Sequence, residues 1–141
     1  ARARHGGLHR CPACGGGRYA TPTHALIHCP HPAAVIARSE RDDVISGLID
    51  AQNDAPAGLN APNPPTQWKQ WPDNQQVPLV TGGNVAKLTP LGWPKERLRE
   101  MRKSDPDRLA ALQGMARGIR NAAEKYAAVY KRVCVANGQP I

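Results

Sequence analysis

Near the start of the chain, Cys11-Pro12-Ala13-Cys14 is followed after nine residues by His24 and after four more by Cys29. Two Cys separated by two residues can chelate one ion from a tight turn, and Gly15 to Gly17 let the backbone leave that turn at dihedrals other residues avoid. His24 and Cys29 complete a tetrahedral set of thiolate and imidazole donors, the combination that suits Zn2+. With four protein ligands no position is left for water, so the chemistry expected is structural. Other His residues compete for the fourth place: His9 precedes Cys11 by two, His28 adjoins Cys29 and His31 follows it by two. Three of the four Cys and all five His crowd into residues 5 to 31, a clustering that reads as metal ligation and not as a disulfide framework.

The elements that must hold these residues are short and far apart in the chain. Residues 1 to 31 have no sustained helical or strand period and read as loop organised by metal. Ser39-Glu40-Arg41-Asp42 resembles a capping box, and Val44, Ile45, Leu48 and Ile49 follow at helical spacing, predicting a short helix over about 40–52. From Asn53 the chain turns to Pro, Asn, Gln and Gly, including Asn60-Ala-Pro-Asn-Pro-Pro65 and Gly82-Gly83, which predicts extended chain that is either disordered alone or laid along another molecule with Trp68, Trp71 and Trp93 as anchors. Pro94 suits a first helical position and Leu98 and Met101 are three apart, so a short basic helix is expected to Lys103.

Ser104-Asp105-Pro106-Asp107 is a second capping signal. After it Leu109, Leu112, Ala116, Ile119, Ala123, Tyr126, Tyr130 and Val133 form a single seam by steps of three and four. That helix should run to about Ala136 and stop at Asn137-Gly138. Gly114 and Gly118 each cost about 1 kcal/mol relative to Ala inside it, and would let a partner approach closely. The fold expected is mainly α with irregular extended segments. It divides into a zinc-knuckle module with a short helix over 1–52, an extended Pro/Asn/Gln-rich linker over 53–92 and a basic helical tail over 93–141.

At 141 residues the length suits one domain, but there is no Phe, and Tyr and Trp number three each, while Pro and Gly reach 14 and 13. Much of the 40% hydrophobic fraction is Ala, which buries little area. The net charge of +8 favours an acidic partner. Residues 1 to 39 contain no acid and carry Arg2, Arg4, Arg10, Arg18 and Arg38. Residues 40 to 92 hold three basic against six acidic side chains, and the stretch from Trp93 holds eleven against five. Two basic ends around a mildly acidic middle suit a nucleic acid. No apolar run approaches the roughly 20 residues needed to cross a bilayer, so no membrane partner is expected. The chain begins without Met, and its acid-free, Arg-bearing start is that expected of a processed organellar, for instance mitochondrial, precursor or of a fragment.

At Cys11-Pro-Ala-Cys-Gly15, Thr23-His24-Ala25-Leu26 and Cys29-Pro30, the chain resembles the Cys-Cys-His-Cys zinc knuckle that follows the polymerase region of non-LTR retrotransposon reverse transcriptases. The continuation from Ile36-Ala-Arg38 to Val44-Ile45 is similar too, so the likeness covers about residues 10–50. Where that family often has an acidic residue shortly before the His, this chain has Ala20-Thr21-Pro22. The resemblance implies handling of nucleic acid. It does not imply polymerase activity, because no polymerase motif is present.

Catalysis is not expected. A zinc deaminase needs a Glu beside its metal-binding His and an open metal position, yet no carboxylate occurs before Glu40. Gly15-Gly-Gly17 and Gly82-Gly83 lack the spacing of phosphate-binding loops. Cys134 has no His near it in sequence and reads as an inert packed thiol. Two functions fit what remains. In the first, a nucleic-acid-binding subunit, expected to take RNA within a ribonucleoprotein such as an organellar ribosome, uses Arg10, Arg18, Arg38, Arg97, Arg99, Arg102 and Lys103 on phosphates, with Tyr19, Trp68 or Trp71 stacking on bases. In the second, the extended middle and the helical seam bind other protein subunits of a large assembly and zinc only locks a loop. A fragment of a retroelement reverse transcriptase is the further alternative.

Overall fold

The structure is a computed structural model that describes residues 10–15, 21–54, 67–82 and 94–136. Four α-helices are present among these residues: α1 (Pro32–Asp54), α2 (Asp73–Thr81), α3 (Lys95–Ser104) and α4 (Pro106–Ala136). A π-helical turn (His24–His28) precedes α1 and a 3-10 turn (Trp68–Gln70) precedes α2. No β-strand occurs among the described residues, and none of their helices is long and apolar enough to cross a membrane. The mainly α fold expected from the periodicity is therefore the fold observed.

The long seam of α4 is real. Leu109, Leu112, Ala116, Ile119, Tyr126 and Val133 on it are buried, with Met115 beside them. At 31 residues α4 spans about 46 Å. Its start follows the capping signal: Asp105 Oδ1 accepts a hydrogen bond from Arg108 N at 3.2 Å, one turn in, and Pro106 takes the first helical position, where a missing N–H costs nothing. The partner that the seam requires is α1 of the same chain, which runs antiparallel to it: the C-terminal half of α1 meets the N-terminal half of α4, where Arg108 Nη1 donates to Gln52 O at 3.0 Å and satisfies a carbonyl at the end of α1.

Two clusters of buried side chains sit at opposite ends of this pair. The larger joins Ile45 and Ile49 of α1, Trp68, Leu79 and Val80 of the α2 region, Met101 of α3 and Leu109 to Ile119 of α4. The smaller joins Cys11, Ala13, Cys29, Ala34 and Val133, with Val129, Tyr130 and Cys134 packed against it.

Three expectations need correction. The first long helix begins at Pro32, eight residues before the expected start, because His31 Nδ1 accepts from Ala33 N at 3.1 Å and caps it. Ser39 and Asp42 are consequently inside α1 and form no capping box; Asp42 pairs instead with Arg41 at 2.9 Å. Within the stretch expected to be extended, Trp68–Gln70 and Asp73–Thr81 are helical, although Asn, Gln and Pro78 favour helix poorly. Burial of Leu79 and Val80 against α4 outweighs that local preference. The Pro-rich run at 60–65, Trp93 and the Asn137-Gly138 stop lie outside the described residues.

Candidate metal centre

Each half of the Cys and His set is held by its own local device. Cys11 and Cys14 bracket a turn closed by Gly15 N donating to Cys11 O at 2.9 Å, and Gly15 leaves it at φ +59°, a conformation that only glycine adopts without strain. On the other side Thr21 Oγ1 accepts from His24 N at 3.1 Å, and Pro22 follows as a natural first helical residue. The chain then makes one wide turn in which Cys29 N donates to His24 O at 2.8 Å. A bond closing over five residues brings residues i and i+5 to one side, so the spacing of four between His24 and Cys29 aims both at the same point.

The wide turn leaves carbonyls that its own backbone does not bond, and two other helices take them. Tyr126 of α4 donates to Ala25 O at 2.5 Å, and Arg41 of α1 donates to Leu26 O at 2.9 Å. Arg41 is 3% exposed, bonds Asp42 through Nε at 2.9 Å and places its guanidinium 4.8 Å from the centre of the Tyr126 ring. One buried cation thus ties the turn, α1 and α4 together. Arg38 adds a bond of 3.0 Å to Cys29 O.

As a result Cys11, Cys14, His24 and Cys29 present ligand atoms that all lie within 4.8 Å of one another. Cys11 Sγ is 3.9 Å from Cys29 Sγ, and Cys14 Sγ is 3.4 Å from His24 Nε2. A tetrahedral ion with metal–sulfur bonds of about 2.3 Å and a metal–nitrogen bond of about 2.0 Å separates two sulfurs by roughly 3.8 Å and sulfur from nitrogen by roughly 3.5 Å. The two closest pairs therefore match such an ion, and the widest separation, 4.8 Å, has to close by about 1 Å around it. Of the competing histidines, His28 pairs with Asp73 at 2.6 Å and His31 caps α1, while His9 lies outside the described residues.

Electrostatics at the site favour a thiolate at Cys11. Burial pushes its thiol up, but bonds from the Tyr130 hydroxyl, at 2.9 Å, and from the Cys14 and Ala13 amides outweigh it, and the net shift is down. Cys29 moves the other way, because burial dominates there. Burial and the neighbouring thiols together raise Tyr130, keeping it a neutral donor. Cys134, which sequence reasoning set aside, faces this group from α4 and is raised by burial and by Cys11, Cys29 and Cys14. Tyr130, Arg41 and Cys134 all come to the site through the α1–α4 pairing, and no local motif announces them.

The candidate phosphate contacts are dispersed. Arg10 is exposed beside the metal loop, and Arg97, Arg99, Arg102 and Lys103 are exposed on α3. Arg38 is half-buried and engaged with Cys29 O. Arg18 and Tyr19 lie outside the described residues. Trp68 is 1% exposed, with its indole Nε1 donating to Ser46 Oγ at 3.3 Å, so it is a core residue and no base platform; Trp71 packs half-buried against the same core. Among known proteins, no family model, no curated protein and no solved structure matches this chain.

Proposed function

We propose that the chain is a non-catalytic, zinc-organised module that binds nucleic acid, RNA by preference, as a subunit of a ribonucleoprotein such as an organellar ribosome. The observation that carries this reading is the outward face of α4. Arg117, Arg120, Lys125, Lys131 and Arg132 are all exposed along it, and the acid exposed among them is Glu124. Lys95, Arg99 and Lys103 are exposed four apart on α3, with Glu96 and Glu100 exposed beside them. Exposed side chains of α1 include the acids Glu40, Asp43 and Asp50, whereas α4 exposes those five basic residues against Asp107 and Glu124, so the helix pair is polarised, and a polyanion would meet it α4 first. The residues resembling the retrotransposon knuckle support the same class of ligand. Zinc, when bound, supplies a closed structural cross-link between the loop at Cys11 and the turn at His24, with no open position for chemistry. With Trp68 in the core, the reading rests on phosphate contact more than on stacking.

The test is fluorescence anisotropy of the whole zinc-loaded chain on a labelled RNA hairpin and on a DNA duplex of the same sequence. Affinity should fall steeply between about 50 and 200 mM salt, and Arg117→Gln with Lys131→Gln and Arg132→Gln should flatten the salt slope by about one unit per lost phosphate contact. Glu40→Gln should not weaken binding. Absent or salt-insensitive binding would overturn the reading, and equal affinity for both probes would remove the preference for RNA.

A second reading, a protein-docking subunit of an assembly, draws on a groove of about 360 Å³ between α1 and α4, lined by Val44, Leu48, Ala122, Tyr126 and Val129. Val44 is half exposed there. The two readings meet at Lys125, which lines the groove and belongs to the basic face, and they are compatible in one subunit.

A further inference from the structure

We infer that Tyr130 is a positioning residue of the metal centre, whose hydroxyl donates to the Cys11 sulfur and so makes metal binding and docking of the C-terminal third of α4 a single equilibrium. The inference rests on the metal reading of the Cys and His set and is independent of what the module binds.

Tyr130 lies 119 residues beyond Cys11 in sequence, yet its Oη is 2.9 Å from Cys11 Sγ. Cys11 is fully buried, as is Cys29, whose sulfur lies 3.9 Å from that of Cys11, so the hydroxyl meets the buried side of the ligand group. Its ring is fixed by Tyr126, one turn earlier, with centroids 5.9 Å apart and an interplanar angle of 24°. Val133 and Cys134, one turn later, pack on the same cluster. A neutral phenol can only strengthen its bond when the sulfur it faces becomes a thiolate, which metal binding enforces. Outer hydrogen bonds of this kind orient ligands, and their loss typically costs 10–100-fold in metal affinity. By linkage, whatever the bond adds to metal affinity metal adds to the docking of α4 at Tyr130.

The test compares the full chain with Tyr130→Phe, which keeps the ring and removes one oxygen. Zinc affinity, measured by competition with a chromophoric chelator, should fall about 10-fold or more. Three readouts separate the hydrogen bond from packing. In the Co2+-substituted protein the sulfur-to-cobalt charge-transfer band should move to longer wavelength, because the thiolate lone pair loses a donor. Iodoacetamide should alkylate the metal-bound thiolate faster. The gain in amide-exchange protection over residues 126–134 on adding zinc should shrink. Val133→Ala, a packing loss at the same place, should lower stability and leave the band where it is. Tyr130→Phe with wild-type zinc affinity, band position and alkylation rate would overturn the inference, as would Val133→Ala shifting the band equally.

Discussion

A methyl group at Gly118 of α4 would stand 2.7 Å from Cδ1 of Leu48 on α1, which is closer than carbon atoms approach. The antiparallel helices cross tightly there because α4 offers no side chain. Leu48 is nevertheless the mobile end of a side chain, and the groove beside it leaves room to swing. Gly118→Ala should therefore fall within about 1 kcal/mol of wild type, the gain in helix propensity offsetting a shifted rotamer. Gly118→Val should destabilise by about 2 kcal/mol. Urea midpoints of the two variants check the contrast, and equal midpoints would mean that the helices do not meet at this residue.

Gly82, at the end of α2, makes a harder demand. Its φ is +69° and a Cβ would lie 2.6 Å from the backbone nitrogen of Arg120, which cannot move aside. Gly82→Ala should cost about 2–3 kcal/mol, more than any effect of Gly118→Ala. Thermal unfolding followed by circular dichroism measures it.

Arg41 is the buried cation between the turn and α4, with a side chain 1% exposed. Replacing it by Met leaves the Leu26 carbonyl without its donor, and Asp42 with only the exposed Lys69 at 3.7 Å. Arg41→Met is expected to destabilise by about 3 kcal/mol and to weaken zinc binding, since the same carbonyl turn presents His24 and Cys29. Unchanged stability would show that Arg41 is not the tie the geometry makes it.

Metal removal should act locally. Cys14→Ser is expected to abolish stoichiometric zinc, as measured by elemental analysis. The larger core contains no metal ligand, so most helical signal should survive chelation while Cys11 and Cys29 become reactive to thiol reagents. Zinc at 100 times its dissociation constant should add about 2.7 kcal/mol to stability. Acid should weaken binding, because protons compete for the thiolates. Loss of all helix on chelation would contradict the separation of the two cores.

Burial raises the Tyr126 phenol, against the pull of Arg38 and Arg41. A group whose folded pKa lies above its unfolded value contributes its stability in full below the unfolded value of about 10 and loses it as pH rises through the folded one. Stability should thus decline above about pH 10, and Tyr126→Phe should flatten that decline. A pH series of urea melts decides it.

Much of this protein was legible in the residues alone, where one short segment carries its own instruction. The Cys11, Cys14, His24 and Cys29 set could be read because ligand type and spacing are local properties of a turn. The course of α4 from Pro106 to Ala136 could be read because Asp105 caps it and a repeating apolar stripe runs its length. Other features depend on what comes to lie beside a residue. Trp68 reads as an anchor in a Pro-rich tract and is a core residue, and α2 is helical through burial of Leu79 and Val80 despite poor propensity. The partner of the α4 seam turned out to be α1. Tyr130 and Arg41 reach the metal turn only after those helices pair, since a hydrogen bond across 119 residues leaves no periodicity to find. Local chemistry determined the candidate ligand set; burial and long-range pairing, available only to the folded chain, decided what surrounds it.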